Sequence, residues 1–184
     1  MISFALAAWL LVAPAAAAPA TPDSATAPGA LHGRVLRMLD SSKTPPREAD
    51  WAPLGPEALG ELLALARDPQ APEAQRTRAV AALTVVAHPE AAQHLAELLR
   101  TPTLPSSLRA TAVLALQRRA GLGALPVLAP LLEDGDALVR STAARALGRM
   151  GSAEARRVLE DRLALEEHAE VREALQQGLS DVEP

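Results

Sequence analysis

The sequence of 184 residues contains no cysteine and no tyrosine, and only 2% of its residues are aromatic. Without cysteine the chain can form neither a disulfide nor a thiolate metal site. Trp51 is the one aromatic residue beyond the first twelve positions, which disfavours nucleic-acid binding by base stacking. The formal net charge of −4 also disfavours nucleic acid as a partner, because that interaction depends on cationic surfaces.

Alanine and leucine dominate the composition of the chain, and hydrophobic residues make up 49% of it. Both residues are strong helix formers, so the composition favours an all-α protein. The charge is uneven, because residues 1–120 carry 11 cationic and 10 anionic side chains whereas residues 121–184 carry 7 and 12. The C-terminal third is therefore acidic.

Residues 1–20 contain no charged side chain and end in Ala18-Pro19-Ala20. An apolar segment followed by small residues is typical of a secretory signal peptide, so we predict cleavage before Thr21 and a periplasmic or secreted bacterial protein. An uncleaved N-terminal anchor is the alternative, although a segment rich in alanine with two prolines makes a poor membrane span. Residues 21–30 are predicted to be a disordered lead-in.

A repeat of 31 to 33 residues occupies much of the remaining chain. Its anchor is an arginine, followed seven residues later by a leucine. After that leucine, alanine recurs at eight residues and leucine at twelve and sixteen, a spacing that places all three on one helix face. The anchor arginines are Arg76, Arg109, Arg140 and Arg172, and the second-helix leucines at twelve residues are Leu95, Leu128 and Leu159.

Helix pairs with one apolar stripe on each helix must stack to bury those stripes. The run from Asp136 to Arg140, with Ala143, the Ala146-Leu147-Gly148 run and Gly151 after it, resembles the HEAT-like repeat of phycobilisome lyases. The resemblance covers about residues 56–179. We therefore expect an all-α, right-handed α-solenoid of about four and a half helix pairs. Residues 31–67 would form a degenerate first pair with a loop holding Trp51, and residues 68–184 the regular repeats with a C-terminal capping helix.

The chain shows no pattern that predicts catalysis, a metal site or a cofactor. His88, Glu90 and His94 lie close together, but zinc normally takes at least three protein ligands, and no third ligand is evident in the sequence. Deoxyhypusine hydroxylase, another HEAT-like protein, holds iron with His-Glu dipeptides, and this sequence has none. We predict a protein that is not an enzyme and binds neither metal nor cofactor.

Several conspicuous residues have structural interpretations. We expect the anchor arginines to pair with carboxylates of neighbouring repeats, and Asp136 to cap a helix rather than bind calcium. Trp51 could anchor a partner, but we favour a role in sealing the N-terminal end of the solenoid, where apolar surface would otherwise be exposed.

Outward positions of successive second helices, which usually line the concave side of HEAT arrays, form a predicted partner surface. The two prolines in it lack a backbone donor, and Pro130 should kink its helix. We predict a monomeric scaffold or adaptor that binds a protein or peptide, and neither nucleic acid nor, after cleavage, a membrane. The alternative implied by the resemblance is a bilin-lyase-like enzyme or enzyme accessory subunit. The candidate residues are Gln93, Glu97, Pro126, Pro130, Arg157, Asp161 and, in the loop, Trp51.

Overall fold

A computed structural model of the protein describes residues 28–40, 46–101 and 103–182. Within these ranges every regular element is helical. The predicted signal peptide and residues 21–27 of the predicted lead-in lie outside the described residues. The α-helices are α1 (Pro28–Asp40), α2 (Glu48–Trp51), α3 (Glu57–Arg67), α4 (Glu73–Ala82), α5 (Ala91–Leu99), α6 (Ser106–Ala120), α7 (Leu125–Leu128), α8 (Ala137–Gly148), α9 (Ala153–Leu163) and α10 (Ala169–Val182).

The helices form stacked pairs, as expected for an α-solenoid. The first helices α4, α6, α8 and α10 lie side by side, each in contact with the next. Second helices contact the first helix of the following pair, as α5 does with α6 and α9 with α10. Each pair thus buries its apolar stripe against its neighbours, which confirms the all-α solenoid predicted from the repeat.

The repeated small and large apolar positions form the core. The repeated leucines of the second helices, Leu95, Leu128 and Leu159, are all 0% exposed. Burying one such side chain contributes about 1.5–3 kcal/mol of hydrophobic free energy. The alanines of the first helices are also buried and allow close approach of neighbouring backbones.

The second helix of the central pair is broken, as its prolines predict. Helix α7 has only four residues and is flanked by 3-10 segments, Gly121–Ala124 and Ala129–Glu133. Pro126 occupies the first turn of α7, and Pro130 the first turn of the 3-10 segment that follows. Proline is tolerated at these positions because the first amides of a helix have no intrahelical acceptor.

The N-terminal region is more helical than expected. Helix α1 begins at Pro28, so residues 28–30 are helical rather than part of a disordered lead-in. Proline suits a first helical position because its φ angle is already helical. The region predicted as a long loop contains α2 and a 3-10 turn, Ala52–Leu54, which together carry Trp51 into the core.

Helix α10 is the last of the first helices that the structure describes. Gln176 is exposed there, at the position where earlier first helices bury Val80, Val113 and Ala144. The polar substitution therefore faces solvent, as expected for a capping helix. Among the described residues, no helix combines the length and apolarity needed to cross a lipid bilayer.

Candidate functional site

The predicted partner surface lies on the second helices, and we call it the second-helix strip (Gln93, Glu97, Pro126, Pro130, Arg157 and Asp161). All of its members except Glu97 are exposed, and Glu97 is half-buried. They belong to α5, α7 with its following 3-10 segment, and α9. The structure thus places these side chains on the surfaces of three successive second helices, outside the buried leucine stripe.

One end of the second-helix strip is a polar cluster centred on Glu97. Its carboxylate accepts a hydrogen bond from Gln93 Nε2 at 3.1 Å and lies 2.9 Å from His94 Nδ1. These hydrogen bonds, that of His94 first, lower the pKa of Glu97 below its usual value. Arg67 Nη2 of α3 lies 3.6 Å from the same carboxylate. The cluster therefore links two second helices and holds Gln93 and Glu97 in place.

Trp51 is the exception among the predicted site residues. Its side chain is 2% exposed and belongs to the hydrophobic core, and its indole Nε1 has no hydrogen-bond partner among the described residues. An indole buried in this way cannot anchor a partner on the surface. That Trp51 seals the N-terminal end of the array stays a prediction, and its burial in the core fits that role.

Three of the four anchor arginines, Arg109, Arg140 and Arg172, contact the turns that follow second helices. Arg109 forms an ion pair with Asp134, and Arg140 Nε lies 3.0 Å from Glu166 Oε2. Arg76 instead donates to the carbonyl oxygen of Ala66 at 3.2 Å. The carboxylate pairing that we predicted is therefore confirmed for two of the four arginines.

The remaining contacts of these arginines are with backbone oxygens. Arg140 Nη1 donates to Asp134 O at 2.8 Å, and Arg172 Nη1 donates to Glu166 O at 2.9 Å. Arg76, Arg140 and Arg172 therefore each donate to a carbonyl oxygen at or near the end of the preceding second helix, where such groups lack helical partners. The repeated arginine is explained by this structural role, and no phosphate needs to be invoked.

Glu166 is the most strongly perturbed acid of the described residues. Its side chain is buried, and it accepts hydrogen bonds from Arg140 and from Arg162 Nη2 at 2.7 Å. Burial opposes ionisation, but the two guanidinium groups and the backbone amide of His168 outweigh it and lower the pKa of Glu166 to about 2. This charged cluster lines a polar depression of about 550 Å³. Its charges are satisfied by one another, so its first role is to hold neighbouring repeats together.

Asp136 caps α8, as its position predicts. Its Oδ1 accepts a hydrogen bond from the backbone amide of Leu138 at 2.8 Å. Burial disfavours the charged form, yet hydrogen bonds from Ser106 and from backbone amides keep the pKa of Asp136 below its usual value. A cap with this geometry satisfies an amide that has no partner within the helix.

A groove on the opposite set of helices was not anticipated from the sequence. It has a volume of about 720 Å³ and lies between the first helices α4 and α6, the end of α1 and the segment before α2. The groove is open because several of its lining residues are alanines, which fit an ordinary helix pattern and do not stand out in the sequence. One of its walls comes from the segment before α2, which is distant in sequence from α4 and α6, so no local motif indicates the groove. We call it the first-helix groove; it is lined by Leu39, Pro46, Arg47, Glu48, Arg78, Ala81, Ala82, Thr84, Val85, Thr111, Leu114, Ala115 and Arg118.

The side chains of His32, His88 and His94 contact nearby carboxylates or a backbone amide. His94 lies between Glu90 and Glu97, and His88 Nδ1 accepts a hydrogen bond from the Glu90 amide at 3.3 Å. Across residues 28–40, 46–101 and 103–182, no three His, Cys, Asp or Glu side chains are grouped so as to hold a metal ion. The metal-free character of the whole chain remains a prediction.

Comparison with protein families gives a match to HEAT repeats over residues 104–180. The match runs from just before α6 into α10 and contains the stretch from which we drew the resemblance. This part of the chain is therefore similar to HEAT repeats, a class that commonly mediates protein interactions. A comparison with curated proteins gives no match.

Proposed function

We propose that the protein is an exported, non-enzymatic scaffold that binds a protein or peptide partner as a monomer. The observation that carries this proposal is the similarity of residues 104–180 to HEAT repeats. In the stacked helix pairs, the buried positions repeat from pair to pair, whereas the outward positions differ. Repeat arrays of this kind offer extended surfaces for partners. The described residues supply no constellation that would favour a catalytic role instead.

Export is proposed from the sequence of residues 1–20. An uncharged apolar segment that ends in small residues fits a cleaved signal peptide. The destination would be the periplasm or the exterior of a bacterial cell.

The second-helix strip is the surface on which we propose that the partner binds. Its residues lie off the buried stripe, so packing does not dictate their identity. Pro126 and Pro130 place an apolar centre between polar positions on α5 and α9. An apolar centre with a polar rim is the usual anatomy of a binding interface.

The proposal can be tested by capture of partners from an envelope extract on the immobilised protein. The test variant combines Pro126→Glu, Arg157→Glu and Asp161→Arg. The control combines Glu173→Arg and Gln176→Glu, which change charge on exposed positions of α10. We expect both variants to keep the helical signal and melting temperature, and only the test variant to lose the partner.

Two results would contradict the proposal. If wild-type protein retains no more than blank resin, the scaffold function is wrong. If the test variant retains the partner fully, the scaffold binds through another surface. An absorption change on addition of a linear tetrapyrrole would instead support the bilin-lyase-like alternative.

A further inference from the structure

We infer that the first-helix groove is a binding site for an acidic peptide segment that carries apolar side chains. This inference rests on the proposed scaffold function and concerns a second surface, formed by first helices. It follows from the shape of the groove, from the chemistry of its floor and from the positions of its arginines.

The groove is hollow because small residues line it where two neighbouring first helices meet; Ala81 is exposed, whereas Ala82 and Ala115 are buried. Ala81 and Ala82 of α4 and Ala115 of α6 contribute only a methyl group each, whereas Leu114 and Val85 extend beside them. The volume of about 720 Å³ falls within the range typical of ligand sites, roughly 300–1,000 Å³. This space is large enough to receive apolar side chains of a bound segment.

The insertion that interrupts the repeat supplies the other wall. Pro46, Arg47 and Glu48 stand directly before or at the start of α2 and line the groove together with Leu39 of α1. Trp51, three residues further on, is buried and fixes this segment against the core. Residues 46–48 therefore add to the groove a wall that stacked first helices alone would lack.

The groove carries more positive than negative charge. Arg47, Arg78 and Arg118 line it, against the single carboxylate of Glu48. Arg78 makes two long contacts of 3.4 Å at the groove edge, one with the carboxylate of Asp40 and one with the backbone oxygen of Leu39. Arg118 is exposed and has no hydrogen bond or ion pair within the described part of the chain.

The positive surface continues onto the next first helix. Arg149, directly after α8, occupies the repeat position equivalent to Arg118, and Arg145 of α8 lies one turn before it. Both are exposed and without a partner among the described residues. Neighbouring packed helices lie about 8–10 Å apart, so these guanidinium groups extend the cationic edge along the array.

Arginine at the edge of an apolar groove suits a peptide carboxylate. The guanidinium group binds carboxylates through two parallel hydrogen bonds, while the floor accepts leucine-like side chains. Nucleic acid fits poorly because no aromatic side chain lines the groove to stack a base. The observations therefore favour an acidic amphipathic segment of a protein.

The test uses the full chain and a fluorescein-labelled peptide of twelve residues, with glutamate and leucine at helical spacing. Binding is followed by fluorescence anisotropy, with a peptide in which lysine replaces glutamate as a second probe. Arg118→Glu removes a free cation, and Ala81→Trp fills the groove from an exposed position. Arg100→Glu, directly after α5, is the matched control, because it makes the same charge change at an exposed position outside the groove.

We expect the glutamate peptide to bind the wild type and Arg100→Glu equally, and each groove variant at least tenfold more weakly. The lysine peptide should not bind. Unchanged melting temperatures would show that the variants are folded. If the glutamate peptide fails to bind, or binds all four proteins equally, the inference is wrong. Binding of phosphatidylglycerol vesicles through Arg118 in the absence of peptide binding would overturn it in favour of a lipid surface.

The envelope capture experiment separates this inference from the proposed function. In one outcome, the second-helix strip variant loses the captured partner, the Arg118→Glu and Ala81→Trp variants retain it, and the glutamate peptide does not bind. That outcome would support the scaffold function and contradict the groove inference. If the glutamate peptide binds in the groove but no partner is captured, the groove stands and the scaffold proposal falls.

Discussion

Gly148 of α8 and Gly178 of α10 bring the two helices together backbone to backbone. A Cβ atom at Gly148 would overlap backbone atoms of Gly178, and a Cβ atom at Gly178 would lie 2.7 Å from the carbonyl oxygen of Ala144. Neither contact can be relieved by turning a side chain, because the obstructing atoms are backbone. The close seating of the capping helix therefore requires glycine at both positions.

Gly178→Ala should consequently lower the free energy of unfolding by about 1–3 kcal/mol, the usual cost of overpacking. Gly60→Ala is the matched control, since Gly60 lies in α3 with no atom within 4 Å of an added Cβ. That change should stabilise the protein by about 0.5–1 kcal/mol through helix propensity. Urea unfolding followed by circular dichroism measures both, and equal effects would show that the contact is unimportant.

Glu166 should make stability depend on pH in the acid range. Its pKa is lowered from 4.5 in the unfolded chain to about 2 in the folded protein. A group with a lowered folded pKa contributes its stability above the unfolded pKa and loses it as the pH falls. Stability should therefore decrease progressively between about pH 4.5 and pH 2.

Glu166→Gln should flatten this decrease and lower the free energy of unfolding at pH 7 by roughly 2–3 kcal/mol. The control is Glu160→Gln, because Glu160 is exposed and pairs with Arg156 on the same helix surface. Such an exposed pair contributes only about 0.3–0.5 kcal/mol. An unchanged acid profile in Glu166→Gln would show that other carboxylates dominate acid unfolding.

Leu128 tests the packing of the broken second helix. Its side chain is 0% exposed, so Leu128→Ala should cost about 2–5 kcal/mol of unfolding free energy. Gln93→Ala, on the exposed surface of α5, should cost less than about 0.5 kcal/mol. Thermal or urea unfolding measures the loss of stability in each variant. Equally small losses in both variants would show that the leucine stripe does not lie on the buried face of the second helices.

Trp51 should be sensitive to loss of volume but tolerant of loss of its polar atom. Trp51→Ala should cost about 3–5 kcal/mol, since it leaves a large cavity. Trp51→Phe removes an indole N–H that has no described partner, so its cost should stay near 1 kcal/mol. If alanine is tolerated as well as phenylalanine, the side chain does not seal the N-terminal end.

Export predicts a processed amino terminus. Protein isolated from its native host should begin at or near Thr21, because Ala18 and Ala20 occupy the small-residue positions of the cleavage site. Edman sequencing of the envelope and cytoplasmic fractions would measure this directly. Soluble cytoplasmic protein that retains Met1 would contradict it.

The regular part of the fold was predictable because its signals are local and repeated. The leucines at Leu95, Leu128 and Leu159 share a register that only stacked helices can bury, and Asp136 stands where a helix needs a cap. Pro130 likewise predicts the interruption of its own helix, because proline lacks a backbone amide donor. These features depend on neighbours in sequence and on a period, both of which can be counted.

The groove and the carbonyl contacts of the arginines were not predictable in the same way. Arg76 and Arg172 could have met carboxylates, and only the positions of Ala66, Leu163 and Glu166 in space show that backbone oxygens receive them. The groove needs the insertion to lie beside α4 and α6. Such features arise from contacts between distant segments, which a single sequence does not specify.

The interruption of the second helix at α7 also bears on how the array opens. Two prolines remove amide donors between Leu125 and Glu133, and the flanking 3-10 segments hold the backbone less firmly than an α-helix. In a stack where each repeat contacts only its neighbours, distant repeats do not stabilise a repeat whose own helix is interrupted. We therefore expect the broken second helix of the central pair to act as a joint, in which amides exchange with solvent before those of α5 and α9 and at which bending of the array concentrates.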